Sequence, residues 1–403
     1  MICVMELLQE IVALAESYAG ELTELRRQFH QYPELSHEEE GTARTVAQYL
    51  RDLGLEVRTG IAGHGVVARL RGTRPGKVVA YRADMDALPL TEKADVPWRS
   101  RVPGVMHACG HDFHLSIALG AARLLSRFQD RLAGEVRFIF QPAEEGPPQG
   151  EGSGAKGMVA AGVLEEPRVE AVLGLHVAPS VAVGQIHYGT EVVMAGSDHL
   201  ILTITGKSAH GATPHRGLDP ILVSAQALNQ IQAFLTHGLD ARHPVVLTFG
   251  QISGGNRFNI LAERVVLEGS LRYLQDTARQ KVLEGLRRHL AGLAQATGAK
   301  IDLAAQTIYP ILKNDADLST RAVEVLVQLL GPERLKLHQP AMGSEDFAYF
   351  AEKVPGFYFF LGVRTPGTRS QALHSPDFHP DEGALPWGLK AAAGLLAALS
   401  EPE

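Results

Sequence analysis

Cysteine and histidine are the side chains that hold zinc-like metals, and this sequence sets Cys109 and His111 two residues apart in the run MHACGHDFH (106–114). In an extended segment both side chains point to one side, and a helix is expected directly after them with Asp112 as its cap. Alone, the C-G-H run fits a buried structural cysteine beside a surface histidine equally well. Its surroundings add weight. Asp84 and Asp86 follow the apolar run KVVAYRA, Glu144 and Glu145 follow VRFIFQPA, and His176 closes VEAVLGL. His374 lies in ALHSPDFHPDEGAL, before the last helical stretch. One such coincidence carries little, but this many in one domain point to a shared site. Adjacent loop carboxylates are usually solvated, yet Glu144 and Glu145 are bracketed by Pro142 and Gly146, which restrict their directions. Consecutive side chains diverge. One of the pair can ligate a metal while the other accepts a proton from an activated water, as a two-metal hydrolase requires.

A second group lies further along. His210 and His215 sit in GKSAHGATPHRGLDP, where isolated histidines are more often turn residues than catalysts. A donor from a second domain could nevertheless serve a substrate oxyanion. Asn259 and Arg272 fall in GGNRFNILAERVVLEGSLR. An arginine suits a carboxylate substrate by bidentate pairing, and a surface ion pair is the equally plain alternative. The other histidines, among them His30, His107 and His114, are read as surface or packing residues.

The elements that must position these groups follow from hydrophobic patterning. A helix is expected over 42–53, strands over 77–84, 135–141 and 169–176, and a helix over 112–128 with apolar residues on one face. Strands alternating with helices predict a largely parallel sheet covered on both faces. In such sheets ligands collect outside the carboxyl ends of the strands, where the candidate residues fall. From residue 199 the order becomes β-α-β-β-α-β, the split arrangement of a small α+β domain. The chain therefore divides into 1–190, an inserted domain over 191–309, and 310–403, which returns to the first domain.

Bulk properties exclude several classes. A length of 403 residues favours two domains, and 45% hydrophobic with 21% charged residues is the composition of a globular protein. A net charge of −7 argues against a nucleic-acid partner. Nothing approaches the roughly 18 apolar residues of a membrane span. The opening MICVMELLQEIVALAESYAG reads as an amphipathic helix without the basic start of a signal peptide. With only Cys3 and Cys109 in unlike contexts, free thiols and a cytoplasmic location are expected in preference to a disulfide. No G-x-G-x-x-G follows an early strand, which disfavours a dinucleotide-binding oxidoreductase.

Eight runs appear in order: RRQFHQYPELSHEE, RADMDALPL, MHACGHDFH, FQPAEEG, LGLHVAP, GKSAHGATPHRGLDP, MGSEDFAYF and ALHSPDF. Together they resemble the aminoacylase/carboxypeptidase family of dinuclear metallohydrolases, closest to its branch of hippurate hydrolases, N-acyl-amino-acid amidohydrolases and indole-acetyl-amino-acid hydrolases. The resemblance covers nearly the whole chain. It implies an α/β zinc-peptidase-like catalytic domain with an inserted ferredoxin-like lid, through which many members dimerise, so a homodimer or homotetramer is expected. It also implies two divalent ions per subunit, zinc first and manganese, cobalt or nickel as alternatives. Their ligands would be Cys109, His111, Glu145, His176 and His374. Glu144 would be the general base, His210 the oxyanion donor, and Asp86 an acid that orients a ligand. Asn259 and Arg272 would hold the substrate carboxylate. One departure is NILA (259–262), where many relatives carry N-x-I-P. The implied activity is hydrolysis of small N-acyl-L-amino acids. A carboxypeptidase or dipeptidase, a specialised N-acetyl-amino-acid deacetylase and a non-catalytic metal-binding relative are the alternatives.

Overall fold

A computed structural model of the chain describes residues 2–146 and 152–402, with side chains from residue 5 onward. The chain opens with α1 (Ile2–Ala15), α2 (Ala19–Gln31), α3 (Glu40–Asp52), β1 (Glu56–Ile61), β2 (Gly65–Arg71) and β3 (Arg74–Asp84). There follow α4 (His111–Ser126), β4 (Ala133–Gln141), α5 (Gly154–Ala160), β5 (Ala171–Ala182), β6 (Ile186–Tyr188) and β7 (Val192–Met194). The middle of the chain forms β8 (Gly196–Thr205), α6 (Pro220–His237), β9 (Val245–Gly254), β10 (Arg264–Tyr273), α7 (Asp276–Thr297) and β11 (Lys300–Tyr309). It ends with β12 (Leu312–Lys313), α8 (Ala316–Leu330), β13 (Leu335–Leu337), α9 (Ala348–Ala351), β14 (Gly356–Arg364) and α10 (Leu385–Leu399). Two compact units result: Met1–Val193 with Lys313–Gln339 and Asp346–Glu403, and Met194–Leu312 with Pro340–Glu345.

The first unit is built on an eight-stranded sheet in the order β1-β2-β4-β3-β5-β14-β6-β13. Its centre, β4-β3-β5-β14, is parallel, while β1-β2, β2-β4 and β14-β6 pair antiparallel. The sheet is thus mixed: its parallel centre, with near-continuous apolar runs, is buried on both faces, and the edge strand β13 also pairs parallel, with β6. Successive strand residues face opposite sides. Tyr81, Ala83, Phe138, Phe140, Leu173, Leu175, Phe357 and Phe359 enter one continuous hydrophobic core with α1 to α4, α8 and α10. Their neighbours Arg82, Asp84, Gln141 and His176 face the other way and are all buried.

Strand register decides where these polar residues meet. Asp84 lies opposite Gln141, and Arg82 opposite Gly174. Two residues further along, His176 therefore comes level with Asp84. The strand expected to stop at His176 runs on to Ala182, and His176 pairs with Phe360 of β14. The site consequently forms beyond the end of β3 and β4 but beside the middle of β5.

The second unit has the order β-α-β-β-α-β and an antiparallel sheet β11-β8-β10-β9. This is the inserted ferredoxin-like arrangement expected from the sequence. One face of the sheet, with Leu200, Leu202, Ile204, Val265, Leu267 and Leu271, is buried under α6 and α7. Those helices contribute Val223, Ala227, Ile231 and Phe234, and Val282, Leu286, Leu290 and Leu293. Helix α6 starts as its sequence dictates: Asp219 accepts the Ile221 N–H at 2.9 Å and Pro220 fills the first turn.

Candidate active site

The segment carrying Cys109 and His111 is not extended. Gly110, at φ +92°, turns the chain left-handed and serves as the N-cap of α4, so His111 is the first helical residue. Glycine is required here, because a Cβ would stand 2.4 Å from Cγ2 of Val177. Asp112 does not cap the helix as expected. It lies in the first turn and accepts Arg26 Nε and His30 Nδ1, each at 2.8 Å. Burial opposes its ionisation, yet Arg26 and His30 hold the carboxyl well below the usual carboxylate range. The pair fastens the start of α4 to α2.

Both site histidines in the sheet region have their rings fixed from behind. His111 donates from Nδ1 to the backbone carbonyl of Asp86 at 2.8 Å. His176 donates from Nδ1 to the carbonyl of Val177 at 2.7 Å. Each bond selects the tautomer that leaves Nε2 as an electron-pair donor, the way a backbone carbonyl orients a histidine that is to meet a metal. His176 Nε2 stands 3.3 Å from Cys109 Sγ. His111 Nε2 is buried without a hydrogen-bond partner among the described residues. It lies 3.8 Å from Glu145 Oε1 and 4.0 Å from Glu144 Oε2. His374 Nε2 approaches Glu145 Oε1 at 3.4 Å. Its backbone, at φ +58°, is tied to the Cys109 segment by an N–H bond to the carbonyl of Ala108 at 2.9 Å.

Donor atoms of Cys109, His111 and His176 lie within 4.8 Å of one another, as do those of Cys109, Glu145 and His374, and those of His111, Glu144 and Glu145. The first two sets share Cys109 and the third links them, so all five expected ligands and Glu144 form one cluster. Asp86 stands behind it. Its Oδ2 accepts Ser36 Oγ at 2.6 Å and the Glu145 N–H at 3.0 Å, and its backbone carbonyl holds His111.

The electrostatics fit a cation. Burial opposes a charge on His111, yet Asp84, Asp86 and Glu145 push its imidazole up to about 10. A field able to hold a proton on a wholly buried ring is strongly negative. Burial, then Glu145 and Glu144, push the Cys109 thiol well up. These are the donors and the potential that a divalent ion would satisfy, and a bound ion would lower the thiol again.

Several contributors escaped the sequence reading. His114 links Asp84 to β5: its Nδ1 donates to Asp84 Oδ1 at 2.6 Å and its Nε2 accepts the Val177 N–H at 3.0 Å. Its spacing of three from His111 on a helix was the available signal. Arg82 bridges Asp84 at 2.6 Å and Asp346 at 2.7 Å, and Asp346 also accepts Gln141 and Ser153. No local pattern announces that network.

The second unit holds the remaining expected residues. His210 is exposed, and its Nδ1 accepts the Ala212 N–H at 3.0 Å, which places the ring proton on Nε2. Asn259 is also exposed, and its carbonyl accepts the Gly211 N–H at 2.8 Å, joining the two loops. Arg272 is partly buried. It donates to the hydroxyls of Ser270 and Ser344 and has no carboxylate partner among the described residues. His215 lies in a short 3-10 turn, exposed.

Known proteins resemble this chain along its whole length. The sequence model of peptidase family M20/M25/M40 matches residues 80–398. Thermostable carboxypeptidase 2 of Saccharolobus solfataricus is 37% identical over 396 residues, covering 98% of both chains. N-acetyl-L-cysteine deacetylase of Bacillus subtilis is 36% identical over 91% of this chain and 85% of its own. Among solved structures, the Bacillus subtilis YXEP protein, a dinuclear metal binding peptidase from the M20 family, superposes with a TM-score of 0.83. It is 33% identical, over 96% of this chain and 99% of that one.

Proposed function

The chain belongs to peptidase family M20/M25/M40, and from that premise we propose that it is a metal-dependent amidohydrolase cleaving N-acyl-L-amino acids to a carboxylic acid and a free amino acid. The observation that carries this reading is the donor cluster around Cys109 with the Glu144 carboxylate beside it. The deacetylase relative adds support for an acyl-amino-acid substrate.

Cys109, His111, Glu145, His176 and His374 would hold two divalent ions, as the dinuclear M20 neighbour does. Thiolate and imidazole donors favour zinc, with manganese, cobalt or nickel as substitutes. Ions bound there polarise an amide carbonyl and acidify water. Glu144 takes the proton of the attacking water and delivers it to the departing amine nitrogen. Asp86 keeps His111 and Glu145 oriented. His210, carrying its proton on Nε2, donates to the oxyanion, and Arg272 with Asn259 receives the α-carboxylate. Arg272 suits that task because it is charged, partly buried and, among the described residues, without a carboxylate partner.

The carboxypeptidase relative favours a second reading, in which the same machinery cleaves peptides. The unit carrying β9 supplies a surface for a homodimer or homotetramer, since that edge strand leaves Val246 and Ile252 exposed and Phe258 follows it. Among the described residues no helix is long and apolar enough to cross a membrane. A cytoplasmic location would keep the buried Cys109 thiol reduced.

The test is amine release from hippurate and N-acetyl-methionine by chelator-treated protein, before and after adding Zn²⁺, Mn²⁺ or Co²⁺. Metal-restored release is expected. Release from free-amino dipeptides at equal or greater rate would move the assignment to a peptidase, and silence on every substrate with two ions bound would overturn the acyl-amino-acid reading.

A further inference from the structure

Glu39 is fully buried, and its sequence position does not explain why. It precedes α3 as the N-cap residue, where a carboxylate ordinarily turns back to the helix amides. Its side chain makes no such bond. That task falls to Glu34, whose two oxygens accept the N–H groups of Gly41 at 2.9 Å and Thr42 at 2.7 Å. Glu39 is thereby released from capping and turns inward. Its Oε1 accepts the Ala143 N–H at 2.8 Å, 104 residues away. Its Oε2 has no hydrogen-bond partner among the described residues.

Ala143 is the residue immediately before Glu144, and it sits at φ +50°. A side-chain-bearing residue enters that left-handed region at a cost of about 1–2 kcal/mol and stays there only where its surroundings fix it. Three bonds do so. Glu39 takes the Ala143 N–H, Gly154 donates to the Ala143 carbonyl at 3.1 Å, and Asp86 takes the Glu145 N–H at 3.0 Å. The left-handed residue turns the chain immediately before Glu144 and Glu145, whose carboxylates reach His111 Nε2 at 4.0 Å and 3.8 Å.

We propose that Glu39 is a positioning residue for the proton-transfer step: its buried carboxyl clamps the Ala143 amide and so holds the turn that presents Glu144 to the substrate. The inference rests on the reading of Glu144 as the base. Burial, and then the nearby Asp86 carboxylate, push the Glu39 carboxyl up to about 7. A neutral acceptor therefore suffices, and glutamine is a fair substitute for it.

The test compares Glu39→Gln, Glu39→Asp and Glu39→Leu in the metal-loaded, full-length enzyme. Gln keeps an acceptor at the same reach, Asp is shorter by one methylene, and Leu has no acceptor. Glu39→Gln should keep kcat within about threefold. Glu39→Asp and Glu39→Leu should lose roughly 10- to 100-fold in kcat with KM within about twofold and two ions retained, the size expected when a reacting group is misplaced by about 1 Å. Hydrogen–deuterium exchange at the Ala143 amide should accelerate in the Asp and Leu variants and stay slow in Gln. Should Glu39→Leu fail to fold, Glu39→Asp carries the comparison. Unchanged exchange at Ala143, an unchanged kcat, or metal loss in parallel with kcat in Glu39→Asp would each overturn the proposal. Exchange needs no substrate, so it reports on the clamp even where hydrolysis assays or Glu144→Gln refute Glu144 as the base.

Discussion

Replacing Gly110 with alanine tests whether the Cys109–His111 turn is held as described. Gly110 has φ +92°, and the added Cβ would meet Val177 Cγ2 at 2.4 Å, against an ordinary carbon contact of about 3.5–4.0 Å. Val177 is buried, its carbonyl holds His176 Nδ1, and its N–H binds His114. Relief by displacement would therefore move two site histidines. The left-handed backbone costs alanine about 1–2 kcal/mol, overpacking about 1–3 kcal/mol, and the stiffer unfolded chain returns about 0.4–1 kcal/mol. A net loss near 3 kcal/mol is the midrange, or about 5–10 °C in the thermal midpoint at roughly 2–3 °C per kcal/mol. Metal affinity should fall with it. Val177→Ala removes the clashing methyl but not the backbone cost. In a double-mutant cycle the pair should therefore be less destabilised than the sum of the singles by about 1–3 kcal/mol. Thermal unfolding of chelated protein and metal titration of the refilled enzyme measure both quantities. An unchanged midpoint for Gly110→Ala would refute the geometry, and strict additivity with Val177→Ala would exonerate Val177.

Four further outcomes are expected. Glu144→Gln should retain both ions and lose about 10²–10⁴-fold in turnover; near-normal turnover would remove Glu144 as the base. His210→Ala should cut kcat by about 10²–10³-fold, as loss of an oxyanion donor does, while metal content stays constant by elemental analysis; falling metal content would make it a ligand. Arg26→Met should destabilise by about 3–5 kcal/mol, because it takes the guanidinium from the buried Asp112 carboxylate and leaves it His30, and adding Asp112→Asn should recover part of that loss in denaturant unfolding. In metal-free protein, Glu39 binds its proton in the folded state up to about pH 7 and in the unfolded state only to about 4.5. Folding thus takes up a proton between these values, and stability falls as pH rises through the window by up to about 1.4 kcal/mol per unit. Glu39→Gln should escape the loss, its advantage growing from pH 4.5 to 7; a pH-independent difference between the two proteins would contradict the assignment.

Residue spacing conveys some of these contacts and is silent on others. The β-α-β-β-α-β order of the second unit was legible because amphipathic periods and an Asp-Pro helix start are local properties. The gathering of Asp84, Asp86, Glu144 and Glu145 was legible because strand ends attract polar residues. His176 closes the apolar run VEAVLGL, but its strand continues past it, and register with β3, not termination, brings it level with Asp84. Asp112 looked like a cap because a capping residue and a buried ion-pair acceptor share one residue type. Only the fold, bringing Arg26 and His30 across from α2, distinguishes the two.

The contributors that stayed hidden share a physical character. Arg82 and His114 compensate Asp84, while Arg26 and His30 compensate Asp112. Their partners lie as close as two residues in sequence and as far as 86. No motif spacing ties them together, yet their existence was required. A carboxylate taken from water costs several kcal/mol unless it meets a cation or several donors. A chain that buries Asp84, Asp86, Asp112 and Glu144 near one sheet edge must therefore supply compensating groups. Asp84 and Asp112 receive theirs from protein side chains. The cluster of Glu144, Glu145 and Cys109 meets His111 and His374, and Asp84 and Asp86, with Glu145, raise His111 to about 10 against its burial. Asp84 and Asp112 each meet an arginine, whereas Glu145 meets the imidazoles of His111 and His374, a difference of pairing that the fold creates and residue spacing does not announce.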